Sequence, residues 1–304
     1  MNRFHLSMLA LLPALLFACG GQQPNDATSA DNIEVLHGNN LHATRDQAKK
    51  SAGSTSNLKD HGGLIVPTFH YYAIYWGSGF ESTTQSLYTS FLGGLGQTGY
   101  WTINTQYMRG ASNSASYASS YSDTSTPPST VTDADLQSEV HKVISGGGLP
   151  YDATGLYYVI TPKTVKVCSG SSCSCTQFCG YHSHYTDSTY GLTLYSTIPS
   201  AAACPTSCGV FSSDATSPNG NVEADEGVSV LAHEGEETQS DALGSAWYDR
   251  RGYENADKCA YKYGTTSTAS NGAEINQNWS GYNWLVQMNW SNQISGCAEY
   301  GPSK

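Results

Sequence analysis

Apolar positions recur in two rhythms along the chain. Leu64-Ile65-Val66 and the aromatic, β-branched run 69–76 end at Gly77 and Gly79, the pattern of an opening strand. From Ser82 the rhythm lengthens, and Leu87, Phe91, Leu92 and Leu95 share a helical face that stops at Gly93-Gly94 or Gly96. The segment 101–107 predicts a second strand, and the Ser/Tyr/Thr/Pro-rich stretch 110–130 a long exposed loop. Thr132 caps the next predicted helix, with Leu136, Val140, Val143 and Ile144 on one side and Gly146-Gly147-Gly148 at its end. Residues 156–161 read as a buried strand, Leu192 to Leu194 as part of another, 225–240 as a helix and 282–290 as the last strand. Strands and helices alternate early and loops follow, which predicts one mixed α/β (α+β) domain over 61–304. No tandem repeat is present. The two Asn-Trp-Ser copies at 278–280 and 289–291 are too short to count as one, although both match glycosylation sequons.

The start of the chain has a different pattern. Arg3 precedes the apolar run 6–17, which is too short to span a bilayer and reads as a secretory signal over 1–18. Leu16-Phe17-Ala18-Cys19-Gly20 resembles a bacterial lipoprotein cleavage box, making Cys19 a candidate for lipidation, with simple cleavage nearby as the alternative. A lipid on Cys19 would be the chain's only link to a membrane. Residues 19–60 lack apolar periodicity and read as a flexible tether or short propeptide.

Charge narrows the partners. The 304 residues carry a net charge of −11 with no basic patch, so nucleic acid and anionic membrane surfaces are poor partners. Acidic residues concentrate between 223 and 257, which invites a cation. There are 9 cysteines. Setting Cys19 aside leaves Cys168, Cys173, Cys175, Cys179, Cys204, Cys208, Cys259 and Cys297, an even set suited to disulfides in an exported chain. A zinc knuckle within 168–179 is the competing reading, and Cys204-Pro205-Thr206-Ser207-Cys208 reads as a local loop staple.

The chemistry centres on Val228-Ser229-Val230-Leu231-Ala232-His233-Glu234-Gly235-Glu236-Glu237. His233 and Glu237 are four residues apart and share one helix face, where imidazole and carboxylate can hold Zn²⁺ or another divalent cation. Glu234 occupies the place of the glutamate that activates water in His-Glu-x-x-His enzymes. Glu254, Asp257 and Asp241 are candidates for a further ligand, and a carboxylate that does not ligate can orient His233. The competing reading is a solvated acidic helix. Gly235 weakens a helix by roughly 1 kcal/mol relative to Ala. His182 and His184 alternate as on a strand and read as metal ligands, as hydrogen-bond donors to a transition state or as simple loop residues, with His182 the candidate substrate contact or second support of the site. Neither a Gly-Lys-Ser/Thr phosphate loop nor a Gly-x-Ser-x-Gly elbow occurs.

Six landmarks in order resemble the EXORDIUM-like, or phosphate-induced protein, family. They are Phe178-Cys179-Gly180-Tyr181-His182, Cys204-Pro205-x-x-Cys208, the segment 227–237, Gly244-Ser245-Ala246-Trp247-Tyr248, Glu254-Asn255-Ala256-Asp257-Lys258-Cys259, and Leu285-Val286-Gln287 with Trp290 and Cys297. The resemblance implies an extracellular, cell-wall-associated protein, and in plants growth promotion; it does not imply one biochemical activity. Gly235-Glu236 replaces the family's usual Leu-Ala, and Ala242 a proline. The His-Glu-x-x-Glu element is similar to that of zincin metallopeptidases, so the expected fold is a single zincin-like domain with a mixed sheet, an active-site helix and disulfide-rich loops. The expected function is an exported zinc peptidase: Glu234 catalytic, His233 and Glu237 with Glu254 or Asp257 as ligands, and a peptide or protein substrate. The alternative is a noncatalytic binding or signalling protein for a cell-wall polymer or envelope component.

Overall fold

A computed structural model describes residues 41–51, 55–211 and 216–301. The signal segment and Cys19 lie outside the described residues. The central sheet has six strands: β1 (Leu41–Ala43), β2 (Thr68–Trp76), β3 (Ser114–Asp123), β4 (Gly155–Thr161), β5 (Phe178–Asp187) and β6 (Gly191–Pro199). Their spatial order is β1-β5-β6-β4-β2-β3. The four strands from β6 to β3 run parallel, β5 runs against β6, and β1 runs against β5.

Helices α1 (Arg45–Ser51), α2 (Thr84–Leu95), α3 (Asp133–Ser145) and α4 (Val222–Ser240) complete the frame. The crossover from β2 to β3 moves one way along the sheet, and that from β3 to β4 moves back. Two right-handed crossovers of opposite direction put their helices on opposite faces. Accordingly, Phe69, Tyr71, Ala73 and Tyr75 of β2 join a core with α2 and α4, while Tyr72, Ile74 and Trp76 join one with α3. α3 starts with a capping box: Thr132 accepts from Asp135 N–H, and Asp135 accepts from Thr132 N–H.

Several expectations need correction. The segment Trp101–Tyr107 is a 3-10 helix, in which the buried residues Trp101, Asn104 and Tyr107 recur every three positions, with Ile103 buried beside them. The stretch 110–130 contains β3, polar because it is an edge strand with much of its surface in water. The run 282–290 divides into Tyr282–Trp284, paired with Gln277–Trp279, and Asn289–Ser291, paired with Gly296–Ala298. Residues 41–51, within the stretch read as a tether, form β1 and α1, since main-chain pairing to β5 needs no apolar periodicity.

The cysteines form Cys168–Cys173, Cys175–Cys204, Cys179–Cys208 and Cys259–Cys297. The zinc knuckle and the local 204–208 staple are therefore both corrected. The single turn Pro205–Cys208 sets Cys204 and Cys208 four apart, and they bridge instead to Cys175 and Cys179. Such bridges belong to an oxidising compartment. No helix among the described residues is long and apolar enough to cross a membrane.

Candidate metal centre

α4 carries the site. Asn221 caps it by accepting from Ala224 N–H at 2.8 Å. It is no solvated acidic helix: every residue from Glu223 to Ser240 is buried. The Tyr158 hydroxyl donates to Leu231 C=O at 2.9 Å, and Asn104 donates to Glu236 C=O at 2.8 Å. Gly235, which looked like a weak point, lies against the Tyr158 hydroxyl and the Trp101 ring, where a side chain would collide. Gly180 of β5 does the same from the sheet, since a Cβ there would stand 2.6 Å from Val230 Cγ1 and 3.0 Å from Glu234 Oε1. These absences bring α4 close over β5.

That approach gathers seven side chains. His233 Nε2 stands 3.2 Å from Glu237 Oε1 and 3.6 Å from Asp257 Oδ1. His182 Nδ1 lies 3.3 Å from Glu234 Oε2 and 3.8 Å from Glu237 Oε2, while His182 Nε2 lies 3.8 Å from Glu254 Oε1. Ligand atoms of His233, Glu237 and Asp257 all fall within 4.8 Å of one another, as do those of His182, Glu237 and Glu254, and those of His42, His233 and Glu234. Glu237 thus belongs to two sets, one through each oxygen. Glu254 and Asp257 are carried by a tight turn in which Glu254 N–H donates to Asp257 Oδ2. Asp257 N–H donates to Glu237 Oε1 at 2.9 Å, fixing the turn against α4.

The electrostatics follow from burial. Removal from water pushes Glu234, Glu254 and Asp257 above the ordinary carboxylate range, and neighbouring carboxylates add to it for Glu234 and Glu254. Burial and Asp257 push Glu237 up to about 7. Burial opposes charge on His233, but Glu237, Asp257 and Glu234 outweigh it and raise its pKa. Burial and the charge of His233 push His182 down to about 3. Both His233 nitrogens, His182 Nε2, Glu234 Oε1, Glu237 Oε2 and both Glu254 oxygens make no hydrogen bond. Buried polar atoms are ordinarily satisfied, and a cation satisfies such donors together. Ligands about 2 Å from a tetrahedral ion stand about 3.3 Å apart, so the His233, Glu237 and Asp257 set fits one.

The remaining candidates lie elsewhere. Asp241 ends α4 and accepts from Ser245 N–H and Ala246 N–H at 2.6 and 2.5 Å, which holds a turn; it joins none of the three sets. His184 is half-buried further along β5 and also stays outside them. Sequence reasoning missed His42. Its ring stacks on His233 with centroids 4.0 Å apart and planes at 9°. The sequence offered only Leu41 and Ala43, small apolar flanks in a polar stretch.

Fold and site together define a disulfide-bridged, mixed α/β protein with a buried histidine–carboxylate nest between one helix and a sheet edge. Residues 58–299 match the family model described as "Phosphate-induced protein 1 conserved region", and the chain belongs to that family. A curated relative, Protein EXORDIUM-like 3 of Arabidopsis thaliana, is 32% identical over 195 residues, 55% of this chain and 56% of that protein. The match thus spans about half the length of that relative. No solved structure matches this chain.

Proposed function

We propose that this extracellular EXORDIUM-like protein holds a divalent cation, Zn²⁺ foremost, and uses it to hydrolyse peptide bonds. The observation carrying the proposal is the convergence of His233, Glu237 and Asp257 at separations suited to one ion, with both His233 nitrogens and Glu237 Oε2 making no hydrogen bond. His182 and Glu254 face the same nest from the other oxygen of Glu237. A helix bearing His-Glu-x-x-Glu over a mixed sheet supports the zincin-like reading. When bound, the cation supplies Lewis acidity, polarising a carbonyl and lowering the pKa of water. In this reading Glu234 takes a proton from the attacking water as its oxygen adds to the carbonyl carbon, and delivers that proton to the leaving amine as the C–N bond breaks.

Family membership favours a second reading, a noncatalytic extracellular protein in which the ion is structural; the burial of every nest residue supports it. Two variants separate these readings. Glu237→Ala is expected to lose the metal measured by plasma mass spectrometry, whereas Glu234→Gln keeps it. Wild type cleaves a quenched peptide library and Glu234→Gln falls at least about 100-fold. Metal without cleavage in either protein selects the structural reading. Metal-free wild type, purified without chelator and offered Zn²⁺, sinks both.

A further inference from the structure

We infer that β1 occupies, in cis, a groove that takes an extended peptide along the edge of β5, with His42 capping the metal centre. The inference deepens the proposed function and rests on it only for what His42 caps.

The pairing is main chain to main chain. Leu41 stands opposite Tyr181 and His42 opposite Gly180, and the register slips before Ala43 meets Phe178. Strand addition of this kind draws its affinity from backbone groups, so another extended peptide can replace three residues of β1. The sheet does not need β1, because β5 is already paired with β6 over seven residue pairs, from Gly191 with Asp187 to Thr197 with Tyr181. The family match begins at residue 58, after this segment.

His42 is the unusual residue. It is 1% exposed, and neither ring nitrogen has a hydrogen-bond partner. A side chain that served packing alone would gain from being apolar here, since unpaired buried nitrogens cost stability. The ring lies instead on His233 and shares a candidate ligand set with His233 and Glu234. β1 therefore covers both the proposed ligand and the proposed base. A peptide entering in its place would carry its own backbone past Glu234 and His233.

The rest of the hold combines packing of Leu41 against the sheet core with a few polar contacts. Thr44 N–H donates to Gln177 C=O at 3.3 Å, and the Tyr261 hydroxyl to Ala43 C=O at 3.0 Å. Arg45 donates to Gly209 C=O, with its guanidinium 4.6 Å above the Tyr261 ring. Contacts of this kind open without global unfolding.

The test uses the full chain, as wild type and as His42→Ala/Thr44→Pro, which removes the cap and the Thr44 N–H. The probe is a fluorescein-labelled synthetic peptide of residues 39–46, followed by anisotropy with Zn²⁺ and with EDTA. The double variant is expected to bind it at least about tenfold more tightly than wild type, whose own strand competes at high effective concentration. A fully N-methylated copy, unable to donate from its backbone, is expected not to bind. Equal affinity in wild type and variant, or in the methylated copy, overturns the inference. Binding by the variant in both buffers, with no metal retained by wild type, keeps the groove and removes the metal centre. Metal retained with no peptide bound does the reverse. Hydrogen exchange on wild type covers a variant that fails to fold. Amides 41–43 are expected to exchange at least about tenfold faster than those of β4, and exchange as slow as β4 overturns the inference.

Discussion

Gly180 sets the distance between α4 and the sheet, because its missing side chain leaves room for Val230 and Glu234. Gly180→Ala is expected to destabilise the fold by about 1–3 kcal/mol through overpacking, read from chemical-denaturation midpoints. The change also moves Glu234, so activity should fall more than stability explains. At this scale the sequence was partly legible. His233 and Glu237 announced themselves by helical spacing, and Glu254 with Asp257 by their proximity to a cysteine-anchored turn. His182 was visible only as strand alternation, which does not tell a nest from a loop. His42 gave no signal, since its place depends on contact with a helix nearly two hundred residues away in sequence. Glu236 was unreadable for the same reason: burial raises its pKa and neither oxygen has a partner, yet it joins none of the ligand sets.

Among the elements, the turn carrying Glu254 and Asp257 depends on its bridge. Cys259–Cys297 joins the short helix Asp257–Cys259 to the hairpin of Asn289–Ser291 with Gly296–Ala298. Paired Cys259→Ser/Cys297→Ser is expected to cost about 2–5 kcal/mol and to lower metal occupancy, measured by calorimetry and metal content. Thr132→Ala, on the opposite face, should cost about 1 kcal/mol through its lost cap and leave metal content unchanged. The two variants together separate general destabilisation from loss of the centre. Elements with strong periodicity, such as α2, α3 and β4, could be read from the chain. β3 could not, because its alternation is hidden by serines, and the Trp101–Tyr107 helix could not, because aromatic residues favour strands as well.

The whole molecule binds protons through buried carboxyls outside the nest. Burial pushes both Glu139 and Glu226 up to about 7 from an ordinary 4.5. Between those values the folded chain keeps protons that the unfolded chain releases. Stability should therefore fall as pH rises through that window and level off above it. Burial opposes charge on Asp123, but hydrogen bonds with Glu139, Lys142 and Ser125 hold its pKa below the ordinary 3.8; its contribution is thus lost only in stronger acid. Denaturation midpoints at about pH 5 should exceed those at about pH 7.5, and Glu139→Gln/Glu226→Gln should flatten the difference. The shape of the sheet adds one more consequence. One margin is the three-residue β1; the other, β3, shows serine and tyrosine hydroxyls to water. Two copies meeting side by side would have to strip hydration from those hydroxyls before any strand could align, which discourages end-to-end polymerisation in a crowded extracellular matrix.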